Sequence, residues 1–253
     1  MQPVVRLSVI VPAYNESHRL GPSLASLRDY AAAQPHLWME VIVVDDGSGD
    51  DTAAVARAFE ARPAQLRVLV NHSNRGKGYS VRRGMLDAAG DVLLMCDADM
   101  STPITEVEKL LPLLTDNVGV VIGSRDVPGA VLDPPQGPLR RLIHWGFRLV
   151  RRRILLPDIL DSQCGFKLFT RRAARKIFPL QTAEGYAFDC EVLGLARAMG
   201  YGVCEAGVVW RNDPRSSVRL FRAAPAVLWS LVKIRRRLRR EFGATGREPV
   251  SPG

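Results

Sequence analysis

Runs of nearly unbroken apolar residues at 7–12, 40–45 and 92–97, each closed by polar or acidic side chains, constrain this chain more than any other feature. Strands that are apolar on both faces belong inside a sheet covered by helices on each side, and such sheets are mostly parallel. Between and after the runs, helical periodicity predicts helices at 17–30, 52–59, 78–89 and 105–114, with further strands at 67–71 and 118–123. The expected fold class is α/β, a mostly parallel sheet flanked by helices. In an open sheet of this kind ligands bind outside the carboxyl ends of the strands. Tyr14, Asn15, Glu16, Asp45, Asp46, Asp97 and Asp99 all fall there.

With 253 residues the chain is expected to form one domain over 1–242: a ligand-binding half at 6–126, a second half at 127–217 and a basic segment at 218–242. The tail 243–253 is expected to be disordered. The apolar stretch 223–232 is far shorter than the roughly 20 residues that a membrane-spanning helix needs. The N-terminus lacks the basic opening of a secretory signal, so a cytoplasmic location is expected. Cys96, Cys164, Cys190 and Cys204 form no CxxC pair, which argues against a disulfide framework and a zinc site. Cys164 and Cys190 read as packing residues. His18, His36, His72 and His144 form no ligand cluster.

Charge divides the chain. Residues 1–130 hold 12 basic and 16 acidic side chains, whereas 131–253 hold 23 and 10. The basic groups are interleaved with apolar ones in two segments. In the first, Leu139, Leu142, Ile143, Phe147, Val150 and Ile154 recur at helical spacing, Arg140, Arg141, Arg148, Arg151 and Arg152 take other faces, and Trp145 is placed for a headgroup layer. In the second, Leu220, Phe221, Val227, Leu228, Trp229, Leu231 and Val232 lead into Lys233, Arg235, Arg236, Arg237, Arg239 and Arg240. C-terminal amphipathic helices of this kind suit an anionic membrane surface. They equally suit ordinary helices packed on the domain with solvated outer faces, and charge alone leaves both readings open. No helix-turn-helix, zinc or RNP-like pattern accompanies the charge, so no nucleic-acid partner is expected.

Asp97-Ala98-Asp99 leaves the end of a strand with two carboxylates one residue apart. Mg²⁺ or Mn²⁺ is commonly held by one or two carboxylates together with a substrate's phosphates, so a diphosphate is the natural third partner. Asp45-Asp46-Gly47-Ser48 closes a strand before a helix cap, and an acidic side chain at such a place can accept from a base or ribose. Asn74-Arg75-Gly76-Lys77-Gly78 opens another helix with backbone N–H groups and cations suited to phosphate. It lacks the GxxxxGK[ST] spacing of a P-loop.

Taken in order, the segment from Ser8 to Glu16, the segment from Val43 to Ser48, the Asn74–Gly78 stretch and Asp97-Ala98-Asp99 resemble glycosyltransferase family 2. The segments Asp161-Ser-Gln-Cys-Gly-Phe-Lys167 and Ala187-Phe-Asp-Cys-Glu191 are similar to those of dolichyl-phosphate β-glucosyltransferases and related polyprenyl-phosphate glycosyltransferases. The resemblance spans about 6–240 and departs from the processive branch, since no QxxRW is present. It implies a GT-A fold with a Rossmann-like sheet and an inverting transfer from a nucleotide sugar. Pro12, Ala13, Tyr14, Glu16, Asp46, Lys77, Asp97 and Ala98 match the nucleotide-sugar site, and Asp97 and Asp99 match the metal motif. Ser124 and Arg125 match a site for an acceptor phosphate, with Lys167, Arg211 and Arg215 as further cations.

An alcohol acceptor needs a base, for which Asp189 is the candidate and Asp161 the alternative. A phosphate acceptor, with a second pKa of about 6, needs none. Asp189 would then orient the sugar or Lys167. The first turn of a helix is the plain alternative for Asp189 and Glu191. The implied reaction carries glucose from UDP-glucose to a polyprenyl phosphate at the cytoplasmic face of a membrane. Transfer of mannose from GDP-mannose, a small hydroxyl acceptor and a non-catalytic binding module are the alternatives.

Overall fold

The computed structural model describes residues 5–60, 65–134, 146, 148–211 and 220–243, and of 220–228 the backbone alone. The strands β1 (Val5–Ala13), β2 (Leu37–Asp45), β3 (Gln65–Val70) and β4 (Val92–Cys96) alternate with helices α1 (Ser17–Ala33), α2 (Thr52–Arg57) and α3 (Lys77–Asp87). There follow the single turn α4 (Val107–Leu110), β5 (Val118–Ser124), β6 (Val131–Asp133) and the helical residues 148–154, labelled α5. β7 (Phe166–Thr170), α6 (Arg171–Ile177), α7 (Phe188–Ala198), β8 (Gly202–Gly207), β9 (Val209–Arg211) and α8 (Leu220–Phe242) complete the order.

Among the described residues the main sheet runs β3-β2-β1-β4-β7-β5-β8, and β6 pairs with β9 apart from it. The first four strands are parallel, as their apolar character on both faces requires: the last seven residues of both β1 and β2 are buried. β7 is the exception, lying between β4 and β5 and antiparallel to both. Phe166 faces Cys96 and Thr170 faces Val92, so β7 starts beside the carboxyl end of β4. The loop that precedes β7 is thereby delivered to the same place as Asp97.

Three local expectations change. The helix expected at 105–114 is a single α-turn between 3₁₀ turns at Ile104–Glu106 and Leu111–Leu113. Pro112 has no N–H to continue an α-helix. Lys167, whose flanking Phe166 and Leu168 also allow a charge on an edge strand, is instead on an inner strand, since β7 is flanked on both sides and the side chain is fully buried. In α5, Val150 is exposed and Arg151 is buried, the reverse of the expected faces. The Arg151 guanidinium donates to the Leu160 carbonyl (2.8 Å), which draws that face inward. Residues 135–145, Phe147 and 212–219 of the two basic segments, Arg215 and Trp145 included, and the tail from 244 lie outside the described residues.

In the part of α8 whose side chains are described, Leu231, Ile234 and Leu238 are buried while Trp229, Lys233, Arg236, Arg239 and Arg240 are exposed. The apolar stripe packs on α7, where Gly194 leaves room for Leu238. Packing on the domain therefore accounts for this stretch of apolar residues, and the outward face is cationic. Among the described residues no helix is long and apolar enough to cross a membrane.

Candidate active site

The carboxyl ends of β1 and β2 are tied together by side-chain to backbone bonds. Asn15, at a positive φ of 54°, accepts from Gly49 N–H (3.0 Å), and its own N–H donates to Ser48 Oγ (2.9 Å). Glu16 N–H donates to Thr52 Oγ1 (2.8 Å) and Ser17 N–H to Asp50 (3.2 Å). The loop after β1 is thus fixed to the loop after β2. Pro12 and Ala13 are buried within β1, while Tyr14 is exposed at its end.

Asp46 is buried and faces inward. Its carboxylate accepts from Asn71 Nδ2 (2.6 Å), from Arg75 N–H (3.1 Å) and from Gly76 N–H (2.7 Å). It therefore shapes the loop before α3 and does not present a free carboxylate to a base. Gly76, at φ +107°, completes that loop where a side chain would be strained and would crowd the Glu184 carbonyl. Lys77 then opens α3 with its ammonium on Asp97 Oδ1.

Asp97 and Asp99 stand in the turn after β4. The Asp97 side chain is 38% exposed and that of Asp99 17%, so a ligand can reach both. Asp99 Oδ1 accepts from Ser101 N–H (3.0 Å) and Oγ (2.9 Å), and Oδ2 lies 3.6 Å from Arg19 Nη1. Arg19 also binds Glu16 through Nε (2.7 Å) and Nη2 (2.6 Å). It joins the first loop to the carboxylate pair, a role that sequence reading missed. The signal was the three-residue spacing of Glu16 and Arg19 on one helical face. Ala98, between the carboxylates, is buried.

The Asp161–Lys167 loop closes the other side. A Cβ on Gly165 would overlap the Asp97 carboxylate, so only glycine fits this approach. Lys167 Nζ donates to the Cys164 carbonyl and to Asp189 Oδ1, each at 2.5 Å, inside the protein. Asp189 and Glu191 lie in the first turn of α7. Asp161 is not placed to take a proton from an acceptor. Its oxygens accept from Arg125 Nε (2.7 Å), Nη2 (2.9 Å) and N–H (3.1 Å), which makes it the residue that orients Arg125. Ser124 is buried, with Oγ accepting from Asp126 N–H (3.3 Å). Arg211 is exposed, and its N–H donates to the Ser101 carbonyl (2.7 Å), which sets β9 beside the turn of Asp99.

Electrostatics follow from this arrangement. Burial pushes the Asp97 carboxyl up, but Lys77, Lys167 and Arg125 outweigh it and hold its pKa below the ordinary value. Burial raises Asp189, and Lys167 and Lys77 offset this only in part. Lys77 is raised, because Asp97 and Asp189 overcome the opposing effect of burial. Glu16 is raised chiefly by burial. A divalent cation is compatible with the donor set: two reachable carboxylates, one already holding an ammonium, suit Mg²⁺ or Mn²⁺ shared with a diphosphate. No cluster of three or more His, Cys, Asp or Glu that would cage such an ion by itself occurs among the described residues.

A direct test of this closure is Gly165→Ala. The added methyl must displace the Asp97 carboxylate, and misplacement on that scale is expected to lower kcat/KM about 10²-fold. Steady-state kinetics on the folded variant measure it; wild-type rates would show that Asp97 need not sit against this loop.

The family described as glycosyl transferase family 2 matches residues 8–178. The chain is 37% identical over 243 residues to the dolichyl-phosphate beta-glucosyltransferase of Dictyostelium discoideum, covering 91% of this chain and 74% of the relative. It is 36% identical over 220 residues to the human protein of the same name, covering 82% and 68%. Among solved structures it is similar to mannosyl-3-phosphoglycerate synthase from Rubrobacter xylanophilus, with a TM-score of 0.66, 19% identity and coverage of 96% and 77%. It is also similar to glucosyl-3-phosphoglycerate synthase from Mycobacterium tuberculosis in complex with Mn²⁺, UDP-glucose and phosphoglyceric acid. There the TM-score is 0.59, the identity 21% and the coverage 90% and 80%.

Proposed function

Because the chain belongs to glycosyltransferase family 2, we propose that it carries glucose, with inversion, from UDP-glucose to a polyprenyl phosphate at the cytoplasmic face of a membrane. The two reachable carboxylates at the end of β4, held between Lys77, Arg19 and the Gly165 loop, carry this reading. The names of the relatives support glucose and a lipid phosphate, and a neighbour solved with UDP-glucose and Mn²⁺ supports the donor and the ion.

In the reaction an acceptor phosphate oxygen bonds to the anomeric carbon as the bond from that carbon to UDP breaks, and its electron pair leaves with the diphosphate. Asp97 and Asp99 would hold a divalent ion, which supplies Lewis-acid charge for the departing diphosphate. Lys77 and Arg19 keep the two carboxylates in place and add positive charge beside them. The acceptor phosphate is already an anion near neutral pH, so positioning matters more than proton removal. That suits a site in which Asp161 is locked to Arg125 and Asp189 to Lys167. Asp161 sets the plane of the Arg125 guanidinium, which also stacks 5.3 Å from the Trp210 ring.

Transfer of radiolabel to a short-chain polyprenyl phosphate tests the reading. Label is expected from UDP-glucose, to be lost with a chelator, and to return with Mg²⁺ or Mn²⁺. Transfer from GDP-mannose alone, or to a small alcohol alone, would overturn it. For the membrane, Lys233, Arg236 and Arg240 lie on the exposed face of α8, with the Lys233 ammonium 5.4 Å from the Trp229 ring. Each cation near an anionic surface contributes about 1 kcal/mol. Reversing all three to Glu is expected to abolish flotation with anionic vesicles while transfer to a detergent-dispersed acceptor persists. Unchanged flotation would remove α8 from membrane contact.

A further inference from the structure

Arg237 lies on α8, remote in sequence from every residue of the donor site; its Nε pairs with Glu241 on the same helix (3.0 Å), while its Nη1 and Nη2 reach α7 and a segment beside that site. Nη1 donates to Glu191 Oε1 (2.8 Å) and Thr182 Oγ1 (2.9 Å), and Nη2 donates to the Leu180 carbonyl (2.9 Å). Glu191 is buried, and its other bonds go to the same segment: Thr182 Oγ1 (2.7 Å), Thr182 N–H (2.9 Å) and Ala183 N–H (2.7 Å). Residues 180–183 are therefore gripped from one side by a carboxylate of α7 and a guanidinium of α8.

From the other side the segment meets the start of α3. Tyr79 N–H donates to the Glu184 carbonyl (3.2 Å), and Gln181 Nε2 donates to the Gly78 carbonyl (2.8 Å). Arg75 pairs with the Glu184 carboxylate. Gly76 and Gly78 lie so close to the Glu184 and Ala183 carbonyls that neither has room for a Cβ. Lys77, between these glycines, holds Asp97. Beside this contact a pocket of about 250 Å³ is lined by Tyr79, Arg82, Thr182 and Glu184.

We propose that Arg237 is a positioning residue of the donor site, acting through Glu191 and segment 180–184 to fix the start of α3 and hence Lys77 against Asp97. The inference rests on the proposed transfer for its meaning, and it ties the cationic helix to the nucleotide-sugar side of the enzyme. Losing the guanidinium leaves the buried Glu191 carboxylate without the one cation that pairs with it among the described residues, so the segment loosens and the start of α3 with it.

Two measurements on Arg237→Gln and Arg237→Lys test it. In Arg237→Gln the KM for UDP-glucose is expected to rise about tenfold, with kcat and the KM for polyprenyl phosphate within about twofold of wild type. Amide exchange at 76–81 and 182–184 should quicken about tenfold while β1 and β2 keep their protection. Arg237→Lys, which keeps a cation for Glu191, should recover most of both effects. Unchanged exchange at 76–81 overturns the proposal, as does a uniform rise of exchange through β1 and β2 with kcat and both KM values worsening together. Exchange needs no substrate, so a wild-type protein inactive on every nucleotide sugar would refute the transfer reading while exchange still decides the role of Arg237.

Discussion

Asp97→Ala is expected to lower kcat for sugar transfer about 10²–10³-fold, the loss typical when a single group that stabilises transition-state charge is removed. Asp97 has three relations that no other carboxylate of the site combines. It is reachable from solvent, it holds the Lys77 ammonium, and it rests on the backbone of Gly165. Alanine removes the oxygen ligands and leaves Lys77 aimed at an empty position, so diphosphate charge is met by neither. Asp97→Asn separates the two losses: it keeps shape and one oxygen but gives up the negative charge. It is expected to be nearly as impaired as alanine if charge is what counts. Thermal unfolding midpoints should change little, since the side chain lies at a strand end and outside the apolar core. Full activity in Asp97→Asn, at saturating Mg²⁺ and Mn²⁺, would sink the role assigned to the carboxylate pair.

That Asp97 belonged to a site was legible in the sequence, because the apolar run before it predicts a parallel strand and the geometry of parallel sheets places its carboxyl end at a ligand. The neighbours that give Asp97 its environment were less legible. β7 lies antiparallel between β4 and β5, and pairing partners so far apart in sequence leave no local trace. Without that insertion nothing indicates that Gly165 closes on Asp97 or that Lys167 is central. Asp161 and Arg125 were both singled out, but as separate actors; burial of the carboxylate is what makes them one unit. Asp46 is the same lesson in reverse, since a carboxylate at a strand end can shape a loop as readily as bind a ligand. The α4 region shows a purely local failure. Apolar spacing predicted one helix through 105–114, whereas Pro112 decides where helical hydrogen bonding stops.

Lys167→Met carries the largest expected effect on stability, about 3–5 kcal/mol, because it strands the buried Asp189 carboxylate without its cation. Methionine approximates the volume of the stem, so lost packing contributes little and lost charge compensation dominates. The pH dependence identifies the cause. Burial already raises the Asp189 pKa, and removing Lys167 raises it further. The folded variant then binds a proton that the unfolded chain releases near pH 4, so its stability falls as pH increases between these two values. The deficit against wild type should therefore be smaller at about pH 5 than at about pH 8. Lys167→Met combined with Asp189→Leu removes both charges, and stability should return to within about 1–2 kcal/mol of wild type. Urea denaturation at both pH values measures all three states. If the double variant is as unstable as the single one, the cost lies in packing around β7 and the ion pair is not its source. If the double variant is stable and still transfers sugar at near wild-type rate, Asp189 serves the fold alone. If it is stable and inactive, the pair has a role in positioning the reactants, consistent with its place beside Lys77 and the Gly165 loop.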